Sequence, residues 1–477
     1  MIRSLTLIAL AVLTTQSAHA ALKLSPQTVV DLALKQGLEA KRAELEAQRS
    51  YLTLQQALGE FDFQISLKTG YEYNQAQTIA GVNNLVDRTL TTTGLLSKRI
   101  RTGTTFELEY INTQQASILD ASSAGNRLPN AHLQSTQLTL RQALWRNTFG
   151  YADRLGVAIG ETGVKAAHET RDEALETVLL DAMTRFWETY TADQQLQEDI
   201  AAREKYEQLV RNVRRRSGFN LATPGELPRL EAELITADQK VKTSSAAYLA
   251  SVDRLLTALQ IKTGEQVSIE VPNALPPVPK VEPKNVENLR TLRIAQLNYE
   301  IADRNLRRTK WRAYPQFDLV ARGRTTGVDE DRSRASAEMN AINYPTYFIG
   351  VEISTALDSD LLRGQIADAE VQFAQSQNNL NLERDNRTNE LRDFERQVSS
   401  QYSVAKTSLE VVELRDRVVR QLEAAYRQGR QPLVELIRAY NDLFAAQRAR
   451  AKAVGDYHII LNRWAASRDE LVGNNVH

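Results

Sequence analysis

No proline interrupts the chain between Pro129 and Pro224, or between Pro345 and Pro432. Proline fixes φ and removes an amide donor, so its absence over such lengths leaves room for helices far longer than those of ordinary domains. Gly150 to Ser217 and Arg363 to Gln428 read as two helices of roughly 66 residues, each about 100 Å long. In the second, Leu391, Phe394, Val398, Tyr402, Ala405, Leu409, Val412, Val419, Leu422 and Tyr426 recur at a spacing of about 3.5, the period of a coiled-coil seam.

Each long helix ends in breakers, Ser217-Gly-Phe-Asn-Leu-Ala-Thr-Pro-Gly225 and Gly429-Arg-Gln-Pro432. Glycine relieves a turn and proline starts the next helix. The return helices, Glu226 to Ile261 and Leu433 to Ser467, are half as long. So are two helices that lead into strands, Pro26 to Leu58 and Pro283 to Arg312. Two short helices end to end would cover one long partner, giving a bundle of uniform height.

The strands carry a different period. From Phe61 to Tyr73 one side holds Phe61, Phe63, Ile65, Leu67, Tyr71 and Tyr73, and the other Asp62, Lys68 and Glu72. That is a strand with one apolar and one wet face. In the second half Phe317 and Leu319 alternate with Asp318 and Val320. Tyr347, Ile349 and Val351 alternate with Phe348, Gly350 and Glu352. Isolated strands would leave bare edges, which closure into a barrel removes. The aromatic-bounded span of the first rises about 23 Å at a tilt near 45°, close to the apolar band of an outer-membrane barrel.

The chain is also written twice. At an offset of 209, Glu226, Leu227, Arg229, Leu234, Ala237, Tyr248 and Arg254 land on identical residues. At 256, Ala57, Phe61 and Asp62 do the same, and Leu140–Leu144 matches Ile353–Leu357 at 213. The falling offset gives the first half 43 extra residues between its β landmarks. That insert contains Leu95 to Asn112, which reads as a hairpin turning at Arg101-Thr102-Gly103, with Phe106, Leu108 and Tyr110 on one face. The first repeat spans 21–270 and the second 286–477. Between them, Val271 to Asn285 holds five prolines and reads as an extended linker.

Composition narrows the class. Lys plus Arg equals Asp plus Glu at 59 each, so net charge announces no acidic or basic partner, nucleic acid included. Residues 1–20 read as a secretory signal: Arg3, an apolar run from Ser4 to Leu13, and the cleavage-like Ala18-His19-Ala20. The chain contains no cysteine, so neither disulfides nor a lipid-carrying cysteine is expected. Beyond the signal, the histidines are His132, His168, His458 and His477, without metal-ligand spacing, and no nucleophile or phosphate-loop motif occurs. Neither an enzyme nor a bound cofactor is expected.

With these features together, the mature chain resembles the TolC-like outer-membrane efflux family. Ala424 to Trp464 is similar to the family's Y-x-x-G turn and long return helix, through Tyr426 and Gly429. Tyr314-Pro315-Gln316 before a strand and Gln142-Ala-Leu-Trp145 after one match further motifs. The resemblance implies a homotrimer in the outer membrane, each protomer giving four strands to a twelve-stranded transmembrane β-barrel that continues as a coiled-coil helical barrel. It implies a periplasmic adaptor docking at the helix tips, an inner-membrane pump beyond it, and conduction of cargo in tripartite efflux or type I secretion. Carried onto this chain, the docking tips take Gly218, Phe219, Gly225, Gly429, Arg430 and Pro432. Glu226, Glu435 and Asp442 mark the gate region. The rival reading is a soluble periplasmic coiled-coil adaptor, and the insert could enlarge the barrel or form an extracellular loop.

Overall fold

A computed structural model describes residues 22–74, 84–119, 130–218, 224–264, 267–271, 274–280 and 284–471. Its strands are β1 (Leu22–Leu24), β2 (Phe63–Asn74), β3 (Asn84–Arg99), β4 (Thr104–Leu119), β5 (Ala131–Ala143), β6 (Val267–Ile269), β7 (Gln316–Asp329) and β8 (Pro345–Ser354). Its helices are α1 (Pro26–Gln36), α2 (Leu38–Leu58), α3 (Tyr151–Gly218), α4 (Glu226–Ala258), α5 (Arg290–Arg312), α6 (Arg332–Asn340), α7 (Asp360–Arg427) and α8 (Leu433–Ser467). The signal-like segment and Phe219 lie outside the described residues.

The two long helices expected from the proline gaps are α3 and α7, 68 residues each. Three expectations need correction. The first entering helix is split, because Gly37 leaves the helical region at φ −57°, ψ 127°. The second begins at Arg290, after a 3-10 turn over Val286–Asn288 whose entry is capped by the Asn285 side chain, accepting from Glu287 N at 3.1 Å. Phe61 belongs to a 3-10 turn, Gly59–Phe61, closed by Asp62 N donating to Gly59 O, so the strand starts at Phe63.

The chain folds as two compact units. One comprises residues up to Glu44, Arg171–Leu289 and Asp385–His477. Its interior is a series of helix-packing clusters. Near the helix tips Tyr206, Leu209 and Val213 of α3 meet Leu230 of α4, Val419 of α7, and Leu436, Tyr440 and Phe444 of α8. Further along, Leu179 and Phe186 pack with Leu24, Val29, Ala33, Leu255 and Leu259. A third cluster joins Val398 and Ala405 to Tyr457, Ile460 and Trp464. Each fully buried large side chain here contributes roughly 1.5–3 kcal/mol. The seam residues Val398, Ala405 and Val419 are buried as the 3.5 period expects, whereas Leu409 stays exposed.

The sequence did not reveal how the proline-rich segment is held. β1 and β6 pair in parallel, Leu22 opposite Val267. Leu275 and Val278 pack on the third cluster, and Tyr457 Oη donates to Pro276 O at 3.0 Å.

The other unit, Leu45–Thr170 and Arg290–Arg384, contains one six-stranded sheet in the order β2-β3-β4-β5-β7-β8. Every neighbouring pair is antiparallel. α6, not anticipated from sequence, lies on β5 and β7 with Ala335 and Met339 buried beneath it. Its start is set by Asp331, whose side chain accepts from Ser333 N and Arg334 N.

Candidate functional site

The sheet has two chemically opposite faces, and its register fixes which residues share each. Ile349, Ala321, Leu140, Phe106, Lys98 and Phe63 fall in one pairing row. Two residues along the strands, Tyr347, Gly323, Leu138, Leu108, Leu96 and Ile65 form the next. Since side chains alternate, one face therefore presents Phe63, Ile65, Leu67, Tyr71, Tyr73, Leu138, Phe317, Leu319, Tyr347, Ile349 and Val351. Ile65 is 80% exposed and Ile349 79%. Aliphatic side chains so bare along the two edge strands favour an apolar surrounding, while α6 covers the far end of the same face, where Thr136 and Thr325 meet Met339.

The opposite face is polar. Arg141 pairs with Asp318 at 3.1 Å and Glu352 at 2.6 Å, spanning β5, β7 and β8. Arg324 donates to Ser135 Oγ, and Lys68, Glu72, Glu107 and Glu109 lie on the same side. The sequence marks this face on β2, but the Arg141 network joins residues 177 and 211 positions apart and was not legible there.

Aromatic residues bound the apolar face. Lys98 Nζ sits 3.9 Å from the Phe63 ring centroid at one end of β3, and the Arg88 guanidinium 5.8 Å from that of Tyr73 at the other. Long cations that lay their stems on an apolar surface and carry charge to its margin suit a membrane interface. Where the strands begin, Trp145 stacks on Tyr314 at 6.0 Å, Tyr314 meets Trp311, and Trp311 meets Tyr151. The two strand-flanking motifs thus converge, and Leu144 N donates to Phe317 O at 2.8 Å.

The strand–helix joint is tightly built. Asn147 Oδ1 accepts from Ala152 N at 2.9 Å and Asp153 N at 3.2 Å, capping α3. Asp153 in turn pairs with Arg99 at 2.8 Å. The β3–β4 turn presses on this joint: a Cβ on Gly150 would lie 1.9 Å from Arg101 O, and one on Gly103 2.7 Å from Gly150 N. Both glycines have positive φ, 75° and 73°, so neither position tolerates a side chain.

The candidate docking tips lie in the helical unit. Gly429 has φ +72°, Gly429 N donates to Tyr426 O, and Arg430 N reaches back to Ala425 O. This is a Schellman ending, which satisfies the last carbonyls of α7 before Pro432 caps α8. The first tip differs. Gly218 is the last helical residue of α3, and the left-handed position falls at Gly225, φ +88°, where α4 starts. The tips touch: Arg216 Nη1 donates to Tyr426 Oη at 2.9 Å and its guanidinium lies 5.3 Å from that ring's centroid.

Behind the tips, charge is paired. Asp442 binds Arg415 at 2.9 Å. Glu435 lies 3.9 Å from Arg438, a loose contact, and Glu226 opens α4. Burial opposes ionisation of Glu423, but Arg427 and Lys205 outweigh it and hold its pKa below the ordinary glutamate value. Tyr206 Oη donates to Asn441 Oδ1 at 2.8 Å, and burial raises the pKa values of Tyr206 and Tyr440. No group of acidic, histidine or cysteine residues able to hold a metal ion occurs among the described residues.

No protein-family profile matches the chain, and no curated protein matches it. Solved structures do. The outer-membrane protein VceC of Vibrio cholerae aligns over 93% of this chain and 96% of its own, with a TM-score of 0.68 at 13% identity. The Campylobacter jejuni outer-membrane channel CmeC aligns over 93% and 86%, with a TM-score of 0.70 at 12% identity. The open-state outer-membrane channel MtrE of Neisseria gonorrhoeae aligns over 94% and 89%, with a TM-score of 0.67 at 11% identity. The resemblance read from Ala424–Trp464 and the strand-flanking motifs therefore holds at the level of three-dimensional structure: this chain has the fold of the TolC-like outer-membrane channels.

Proposed function

We propose that the protein is the outer-membrane channel of a tripartite efflux or type I secretion system. Three copies close their sheets into one transmembrane barrel, which continues as a helical tunnel in the periplasm. In this reading the apolar face meets lipid, the Arg141 face lines water, and cargo leaves without chemistry. An inner-membrane pump supplies energy through a periplasmic adaptor docked at the tips around Gly218, Phe219, Gly225, Gly429, Arg430 and Pro432. Glu226, Glu435 and Asp442 belong to the gate, which opens as the tips shift from packed to splayed. The two halves are read as repeats of one duplicated unit, spanning 21–270 and 286–477.

The observation that carries this is the two-faced sheet with its exposed Ile65 and Ile349. A soluble adaptor would have to keep that face in water, at an unfavourable ~25 cal/mol per Å² of apolar surface. Cell fractionation followed by light scattering in detergent tests the reading. The expected result is outer-membrane recovery and a detergent-bound trimer. A detergent-free monomer in the soluble periplasmic fraction would overturn it.

A further inference from the structure

We propose that the β3–β4 hairpin is part of the barrel wall, so that three copies close about eighteen strands around a widened lumen instead of the twelve implied by family resemblance. This rests on the trimeric channel reading above. Three observations support the wall position. First, the hairpin is paired on both sides: β3 follows β2 from Phe63↔Lys98 to Asn74↔Asp87, and β4 follows β5 from Thr104↔Gln142 to Gln115↔Ala131. An extracellular loop would lie beyond the sheet's end, not between its strands.

Second, the hairpin carries the sheet's facial chemistry. Leu90, Leu96, Phe106 and Leu108 continue the apolar face, while Thr91, Thr93, Glu107 and Glu109 continue the polar one. Third, its turn is built into the strand–helix joint through Gly103 and Gly150. Thr104 Oγ1 donates to Gln142 Oε1 at 2.5 Å and Gln142 Nε2 donates to Thr102 O at 3.1 Å.

The register gives the wall's tilt. The apolar run of β2 centres on Lys68, five residues beyond Phe63, while that of β8 centres on Gly350, one residue to the other side of the same row. The band therefore slips about six residues in five strand steps, roughly 20 Å along the strands for 24 Å across them. To keep that band level in a membrane, the strands must lean by about 40°, within the range of closed transmembrane barrels. Among the described residues β2 and β8 have one neighbour each and run in opposite directions, so β8 of one copy can pair antiparallel with β2 of the next. Eighteen strands at that tilt enclose a backbone diameter of about 36 Å, against about 24 Å for twelve. The added lining, rich in threonine hydroxyls with two carboxylates, suits bulky polar cargo.

Electron cryo-microscopy of the full-length protein in detergent, beside a variant lacking residues 84–119, tests this. The deletion leaves β2 and β5 antiparallel and joined by one loop. The expected full-length wall is three copies, eighteen strands and about 36 Å, shrinking to about 24 Å in the variant. A trimer whose wall holds twelve strands, with the hairpin outside it, would overturn the inference and leave the channel reading intact. Two copies closing twelve strands would overturn both the eighteen-strand wall and the trimeric reading. A monomer without a detergent belt would overturn both. Should the deletion fail to assemble, the full-length diameter alone decides.

Discussion

At the scale of single residues, the sharpest constraints are steric and electrostatic. Gly150→Ala places a methyl against Arg101 O and forces an L residue to φ +75°, so it is expected to destabilise by more than about 2 kcal/mol. Gly364→Ala, in α7 with open space around it, is expected to stabilise by roughly 0.5–1 kcal/mol. Denaturant titration of both variants in detergent checks the opposite signs. His458 offers a pH test. Its ring stacks on Trp187 at 3.7 Å, and burial pushes its pKa from 6.5 down to about 4. Above pH 6.5 it is neutral folded and unfolded. Below that, the unfolded chain takes up a proton the folded chain refuses, so stability falls between pH 6.5 and 4, by on the order of 3 kcal/mol. His458→Phe keeps the stacked ring and should flatten that segment of the stability–pH curve, as circular dichroism of the helices would record.

At the scale of elements, a strand with two faces predicts two outcomes for one substitution. Leu67→Arg puts a charge in the middle of the apolar run of β2 and is expected to cost about 2–4 kcal/mol in membrane insertion. Its neighbour Ser66→Arg faces the polar side and should insert normally. The yield of heat-resistant oligomer in outer membranes separates them, and equal loss would mean the faces are misassigned. The turn after α7 is a different kind of element. A Cβ at Gly429 meets nothing, so Gly429→Val strains the Schellman ending by about 1–2 kcal/mol without disturbing packing. Assembly should survive while pump-dependent export falls, and normal export in that variant would remove the tip from the docking site. The long helices, the Arg101–Gly103 turn and both tips were legible in the sequence because breakers and period act within a few residues of themselves. Helix α6 was not, since Ala335 and Met339 are its two buried side chains and its tethers to β5, through Gln134 and Thr136, join residues about 200 positions apart.

At the scale of the whole molecule, the sheet of a lone chain ends, among the described residues, at β2 on one side and β8 on the other. Assembly that pairs β2 with β8 of another copy should protect their amides from hydrogen exchange as well as those of β4 are protected. Dissociation should release β2 and β8 first, which peptide-resolved exchange in detergent can follow. The sequence by itself determined the alternation of Phe63 to Tyr73, two uninterrupted helices of roughly 66 residues, the turn at Gly429 and a strand pattern that needs closure. These follow from side-chain period and local backbone preference, which neighbouring residues settle. Only the tertiary structure decided that the hairpin enters between β2 and β5, that β5 pairs with β7 across the two halves, and that Arg141 bridges Asp318 and Glu352. Strand order and register are chosen by hydrogen bonds between distant segments, each free to pair with several alternatives until the whole sheet is in place.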